Sequence, residues 1–454
     1  MSLKVVVLAA GQGKRMVSDL PKVLHPLAGR PMLEHVIAKA VQLTKSPPIV
    51  VYGYKGSLLK DQFPKRNIEW VEQLRQLGTG HALKQAAGHF DADDEILVLY
   101  GDVPLVRLES LSQLLESASQ LDGVSVLTTT LEDPTGYGRV LRDASGNVGK
   151  IVEHRDASYK ESCIKEVNTG LMVFSGDKLK KWLPLLNNDN AQKEYYLTDC
   201  VEMAVKEGLR VGAVNAPFSK DVLGVNDRLQ LANAERTFQH RIASDLLTKG
   251  VMVLDPDRLD VRGELICGSE VVIDVNCVFE GRVTLGDGVK IGPNNYVKDS
   301  HLANNVQILP NCVIENSKIG ASCTIGPFSR LRPETIISDT VRVGNFVETK
   351  NSVIGESSKV NHLAYIGDSE LGDRVNIGAG TITCNYDGAS KHKTLIGDDV
   401  FVGSNTELVA PLKLGRGVTV GAGTTVTEDV GPRRLVLSRV RQRVISGYKR
   451  PDKE

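Results

Sequence analysis

The sequence predicts two architectures in one chain. Residues 1–228 form an α/β domain on a Rossmann-like mixed sheet, and residues 250–454 form a parallel β-helix of hexapeptide repeats, joined by a helix over 229–249. Three observations carry this. Short apolar runs alternate with helix-like stretches in the first half. A six-residue period replaces them from Ile273 onward. The composition leans the same way, with 43 glycines and only 5% aromatics in 454 residues. A chain of this length exceeds what one core usually serves.

The α/β part comes first. Lys4–Ala9 and Glu95–Leu99 are continuous apolar runs, the mark of strands buried on both faces. Leu33–Leu43 and Gly80–Ala87 read as helices. This alternation predicts a mostly parallel sheet with helices on both sides. Leu231, Ala234, Phe238, Ile242 and Leu246 then sit at helical spacing, and Gly250 follows as a stop. They predict a single exposed linking helix.

The six-residue period runs Ile273, Phe279, Leu285, Ile291, Val297, takes a five-residue step to Leu302, and continues with few slips to Val420. It covers 23 positions, all large and apolar, and at 13 of them glycine follows. Such a repeat forms a triangular coil. Each hexapeptide supplies a short strand whose aliphatic residue points inward, and the small residue after it allows the corner. Coils stack at the inter-strand distance of about 4.8 Å. A narrow aliphatic prism has little room for large rings, which accounts for much of the low aromatic fraction. The period breaks between Ile377 and Ile396, and Gly378–Leu395 is predicted to leave the coil as a polar loop. Such loops often carry function.

Several function classes fall away. The 55 basic and 55 acidic residues cancel, which argues against general nucleic-acid or membrane-surface binding. No apolar run approaches the roughly 20 residues of a membrane span. Leu3–Ala10 is short and contains Lys4, so it is a poor signal peptide. Seven cysteines without zinc-type spacing read as reduced thiols of a cytoplasmic protein.

The first strand runs into Leu8-Ala9-Ala10-Gly11-Gln12-Gly13-Lys14-Arg15-Met16. Glycines there let the backbone approach a phosphate and turn N–H groups toward it. Met16 stands where a dinucleotide fingerprint needs its third glycine, whereas Arg15 and Lys22 suit a triphosphate. Tyr100-Gly101-Asp102 ends the strand that begins near Glu95, where α/β sheets bind ligands. Each feature alone has a plainer reading. Gly11 and Gly13 fit any tight turn, Asp102 a helix cap, and Asn226 the cap of the linking helix.

In order and spacing the segments are more telling. LAAGxGxRM, DLPKVL, Gln73 with QLGTGHA at 76–82, Gly136–Arg139, Ile151–His154, Asn168–Gly170, Glu194–Asp199 and Gly224–Asn226 together resemble the sugar-nucleotidyltransferase superfamily. The resemblance implies uridylyl transfer from UTP to a sugar 1-phosphate, with magnesium on Asp102 and Asn226. It places Leu8, Ala9, Ala10, Gly11, Arg15 and Lys22 at the nucleotide and its phosphates. Gln73 with the backbone near Leu8 and Gly78 would read uracil, with Thr79, Tyr100 and Gly101 among the substrate contacts. Gly138, Glu153 and Asn168 would hold the sugar.

The β-helix carries its own polar set. His362 stands two residues after the inward Val360, with Tyr365 and Asp368 close by and Arg332 and Lys350 on outer faces. Residues 431–454 hold eight Lys and Arg against Asp452 and Glu454, an excess suited to an anionic ligand or simply to a solvated terminus. His301, His362 and His392 lack zinc-ligand spacing. A uridylyltransferase fused to a hexapeptide β-helix is similar to the bacterial bifunctional glucosamine-1-phosphate acetyltransferase/N-acetylglucosamine-1-phosphate uridylyltransferases, over nearly the whole chain. That resemblance implies a left-handed coil and a cytoplasmic homotrimer. It also implies small-molecule substrates only, with no nucleic acid and no membrane: glucosamine 1-phosphate, acetyl-CoA, UTP and N-acetylglucosamine 1-phosphate. The product, UDP-N-acetylglucosamine, would serve peptidoglycan and lipid A synthesis. His362 would be the general base, with Glu348 a candidate to orient it. Arg332, Lys350, Tyr365, Asn376, Asn385 and Tyr386 would bind the amino sugar phosphate, and Ala379, Ser404, Ala422 and Arg439 acetyl-CoA. The competing reading keeps only uridylyl transfer and makes the β-helix a trimerisation rod.

Overall fold

The structure, a computed structural model, describes residues 2–121 and 123–450. Asp452, Lys453 and Glu454 of the basic tail lie outside the described residues. Two compact units divide between Phe238 and Gln239. Among the described residues no helix is long and apolar enough to cross a membrane.

The first unit holds a nine-stranded sheet. Its strands are β1 (Leu3–Ala9), β2 (Ile49–Tyr52), β3 (Glu69–Glu72), β4 (Glu95–Tyr100), β5 (Val124–Thr130), β6 (Arg139–Arg142), β7 (Val148–Val152), β8 (Glu166–Ser175) and β9 (Gly212–Asn215). The main path runs β9–β5–β8–β4–β1–β2–β3, with β6 attached to β8 and β7 to β6. The central strands are parallel, and β8 runs antiparallel to β4 and β5. Alternate residues feed two cores. Val6, Leu8, Ile96 and Val98 pack on one face, and Val5, Val7, Leu97 and Leu99 on the other. Helix α1 (Met32–Leu43) supplies Leu33, Val36 and Ile37 to the second face, and α2 (Thr79–Gln85) supplies Ala82 and Leu83 to the first. The continuous apolar runs follow from this double cover. A bulge in β8 between Asn168 and Met172, where Gly170 takes φ +86°, breaks its pairing with β5. Bulges of this kind re-aim side chains beside functional sites.

Helix α3 (Arg228–Thr248) is the predicted linking helix, but it is not bare. Ala234 is buried with Leu27, Met32 and Val225 in the first unit, and Ala243 and Leu246 are buried in the core of the second.

In the second unit all 23 period positions point inward and are at most 4% exposed. Ile273 pairs with Ile291, and the column continues through Ile308, Ile325, Val343, Val360 and Ile377, one coil of three hexapeptides at each step. Burying such a side chain is worth roughly 1.5–3 kcal/mol. Two findings refine the sequence reading. First, the glycine after the inward residue answers mainly to the next coil. A Cβ at Gly344 would lie 2.0 Å from the Asn361 oxygen, and one at Gly403 2.4 Å from the Ala422 nitrogen. Corners in the left-handed region fall elsewhere, on Asn294, Asn305 and Asn311 at φ near +60°, a conformation asparagine tolerates. Second, Thr349 and Thr383 fill inward positions that a count of apolar residues skips. The Thr349 hydroxyl shares a 3.1 Å hydrogen bond with Thr335, and Thr383 Oγ1 accepts the Gly367 N–H at 2.8 Å. The coil therefore continues through Ile382–Cys384, and the ejected loop is shorter than predicted, ending before Thr394.

Candidate active sites

A cleft of about 230 Å³ opens at the carboxyl ends of β1 and β4. Leu8, Ala9, Ala10, Gly11, Gln73, Gly78, Thr79, Tyr100 and Asp102 line it together with Lys22. Gly13, at φ +66°, explains how Lys22 reaches it, since a Cβ there would sit 2.6 Å from the Lys22 Cβ. The Lys22 ammonium donates to the Asp102 carboxylate and, at 2.9 Å, to Asn226 Oδ1. Val225 N–H donates to the Asp102 carbonyl at 2.8 Å, which ties segment 224–226 to the end of β4. Asn226 does not cap α3. Asp227 Oδ1 accepts the Gln230 N–H at 2.8 Å instead, which leaves the Asn226 amide for the cleft.

Gly138, Glu153 and Asn168 gather where β6, β7 and β8 pair. Asn168 N–H donates to the Gly138 carbonyl at 2.9 Å, and a Cβ on Gly138 would lie 3.5 Å from the Glu153 carboxylate. Burial pushes the Glu153 carboxyl above its usual range, while a 2.9 Å hydrogen bond from Thr198 opposes the shift. Burial likewise raises the Tyr100 phenol, with Glu153 adding to it. Arg15 stands exposed on the glycine loop, outside the cleft wall. Tyr137 was not singled out in the sequence. Its phenol hydrogen-bonds the Gly224 backbone and lies within the fields of Asp102 and Arg15.

The second cluster follows one edge of the prism. Asn345, His362, Ala379, Ser404 and Ala422 each stand two residues after an inward position of the same column. Backbone bonds stitch successive coils of this edge, from Asn405 N–H to the Ala379 carbonyl (2.7 Å) and from Gly423 N–H to that of Ser404 (2.8 Å). Arg439 lies against the end of the row, its guanidinium 3.7 Å from where a Cβ on Gly421 would be. His362 is exposed, and its Nδ1 lies 2.9 Å from Asn345 Oδ1. An amide oxygen accepts only, so Nδ1 carries the proton and Nε2 presents a lone pair. The expected partner, Glu348, instead binds Arg332 at 2.9 Å. The signal for Asn345 was its place one coil before His362 in the same row. Asn345→Ala should lower kcat for chemistry at His362 roughly tenfold or more with little change in substrate KM, as initial rates would show. An unchanged kcat would remove Asn345 from this role.

Arg332 and Lys350 stand one coil apart in the second column. The Lys350 ammonium is held below its usual range by Lys391 first, with desolvation and then Arg332 adding to the shift and Asp368 opposing it. Lys391 lies in the ejected loop and was missed because a loop has no period. Three converging cations suit a phosphate. The Tyr365 phenol lies over Gly367, which pairs with Lys350. Asn376 falls on the outer face of the first column, on the other side of the His362 corner. Asn385 is buried, its amide bound to Asp368, so it anchors the loop base. Tyr386 is exposed on the loop and donates to the Gly388 carbonyl.

The fold and these clusters define a class, a nucleotidyltransferase fused to a hexapeptide-repeat acyltransferase. Comparisons with known proteins agree. Residues 5–157 match the MobA-like NTP transferase domain, residues 261–347 the GMPPB C-terminal domain, and residues 393–428 the hexapeptide repeat of succinyl-transferase. Over 452 residues the chain is 53% identical to the "Bifunctional protein GlmU" of Azoarcus sp. strain BH72, covering 100% of both chains. It is 52% identical to that of Ralstonia nicotianae, covering 100% of this chain and 99% of the relative. The chain belongs to the bifunctional GlmU family, and it carries both the uridylyltransferase and the acetyltransferase activity.

Proposed function

We propose that the two reactions run at the two clusters just described. The observation that carries this is their composition. One unit holds an oxygen-rich corner (Asp102 and Asn226 about Lys22), and the other holds an exposed histidine bound to Asn345 and a set of three cations, Arg332, Lys350 and Lys391. At the second cluster Arg332, Lys350 and Lys391 bind the phosphate of glucosamine 1-phosphate, and the Ala379–Ala422 edge with Arg439 takes acetyl-CoA. The amine attacks the thioester carbonyl while His362 Nε2 accepts its proton. The C–S bond then breaks, the protonated His362 returns that proton to the sulfur, and CoA leaves as the thiol. Asn345 keeps the neutral imidazole in the required tautomer.

At the cleft a phosphate oxygen of N-acetylglucosamine 1-phosphate attacks the α-phosphorus of UTP, and the bond to the β-phosphate oxygen breaks to release pyrophosphate. No covalent intermediate with the protein is needed, so the cleft's work is alignment and charge neutralisation. Lys22 and the glycine loop face the triphosphate, and Gly138, Glu153 and Asn168 hold the sugar. The corner fits magnesium. A carboxylate and an amide oxygen already converge on one cation, the Lys22 ammonium, and magnesium takes hard oxygen donors completed by phosphates and water. When bound, it supplies neutralisation of phosphate charge.

The protein acts as a cytoplasmic homotrimer through the β-helix. Exposed Phe328, Phe346 and Leu363 on three successive coils support this, the two rings stacked 5.5 Å apart beside the Asn345–His362 edge. Chelation of divalent cations tests the division of labour. Uridylyl transfer should stop and return on adding magnesium, while acetyl transfer continues unchanged. Uridylyl transfer that survives full chelation would sink the metal assignment.

A further inference from the structure

One histidine beside the nucleotide cleft has no part in the chemistry above. His81, on α2, stands behind Gln73, which is 2% exposed and lines the cleft. Gln73 Nε2 lies 3.2 Å from the Gly78 carbonyl and 2.9 Å from His81 Nδ1. A carbonyl only accepts, so the contact with Gly78 assigns the amide: its nitrogen faces inward. That in turn makes His81 Nδ1 an acceptor and the ring neutral. Burial first, and Lys84 second, hold this imidazole below its usual range, which favours the same form. Gln85 Nε2 donates to the His81 carbonyl at 3.1 Å and stands 3.3 Å from the other ring nitrogen, which carries the ring proton in this form, so the shorter 2.9 Å contact from Gln73 sets the tautomer. With both N–H bonds of Gln73 engaged, the amide has only its oxygen to offer the cleft.

We propose that His81 is a positioning residue for base selection: by accepting from Gln73 it presents the Gln73 oxygen to the base and so favours uracil over cytosine. The chemistry is direct. Uracil carries a hydrogen on N3 and donates to an oxygen, whereas cytosine N3 carries a lone pair and is repelled by one. A reversed amide would serve cytosine instead. A site built around one hydrogen-bond direction rejects the opposite one because a buried polar group is left unpaired. This rests on reading Gln73 as the residue that faces the base.

The test compares kcat/KM for UTP and CTP in the full-length enzyme. His81→Leu keeps bulk and removes the acceptor, and it should lower the UTP-to-CTP ratio roughly tenfold. His81→Asn, whose side-chain oxygen takes the place of Nδ1, should keep most of the ratio. The KM for N-acetylglucosamine 1-phosphate should stay unchanged in both, which a general loss of structure would not permit. If Gln73→Ala collapses the ratio and His81→Leu leaves it intact, the role of His81 is overturned while the base-facing Gln73 stands. If neither change moves the ratio, Gln73 does not face the base and the proposal falls with it.

Discussion

His362→Ala should slow acetyl transfer to glucosamine 1-phosphate by a factor on the order of a thousand, within the range for loss of a general acid–base group. The ring is exposed, and its Nδ1 is already engaged by Asn345, so Nε2 is the one nitrogen placed to take the proton of the attacking amine. The substitution removes no buried contact, so folding should be unaffected. The Ala379–Ala422 edge is intact without the ring, so the KM for acetyl-CoA should move little while kcat collapses. Steady-state rates at saturating amine, read from thiol release, check this. A loss confined to KM would place His362 in binding and not in proton transfer.

Asp102→Ala should lower uridylyl transfer by a comparable factor, on the order of a thousandfold. The carboxylate is the one acidic group in the Lys22–Asp102–Asn226 corner, and its backbone also anchors segment 224–226. Truncation keeps the backbone anchor but leaves the Lys22 ammonium with only the neutral Asn226 oxygen. Phosphate charge that builds up as pyrophosphate departs then meets one less organised partner. Asp102→Asn keeps the shape and loses the charge, so it should be nearly as damaging. Pyrophosphate release measures both, and a loss of less than about tenfold in either would mean that Asp102 is not at the reacting phosphates.

Much of this was legible in the sequence, for physical reasons that differ by region. Inward positions of a narrow coil are apolar and almost all aliphatic, so a period of six exposed the β-helix. It failed where threonine served the same purpose, at Thr349 and Thr383, because their hydroxyls find partners inside. Strands covered on both faces announce themselves as unbroken apolar runs. The antiparallel run of β8 has no such signature, since a buried strand reads alike in either direction. Gly13, Lys22 and Asp102 stood out in the sequence because each follows directly on a strand or a short motif, and the structure brings Lys22 and Asp102 into contact. Contacts set by stacking did not stand out: the sequence named His362 but not its partner. Asn345 and His362 are 17 positions apart and become neighbours only once the coils pile up. Lys391 reaches Lys350 because a loop folds back, and Glu348, nearer His362 in sequence, turns to Arg332 instead.

Two separable active sites on one chain are tested most directly by measuring both half-reactions, side by side, on purified His362→Ala and Asp102→Ala proteins of confirmed fold. Each should lose one reaction and keep the other at the rate of the unmodified enzyme. Both reactions falling together in either protein would contradict the separation.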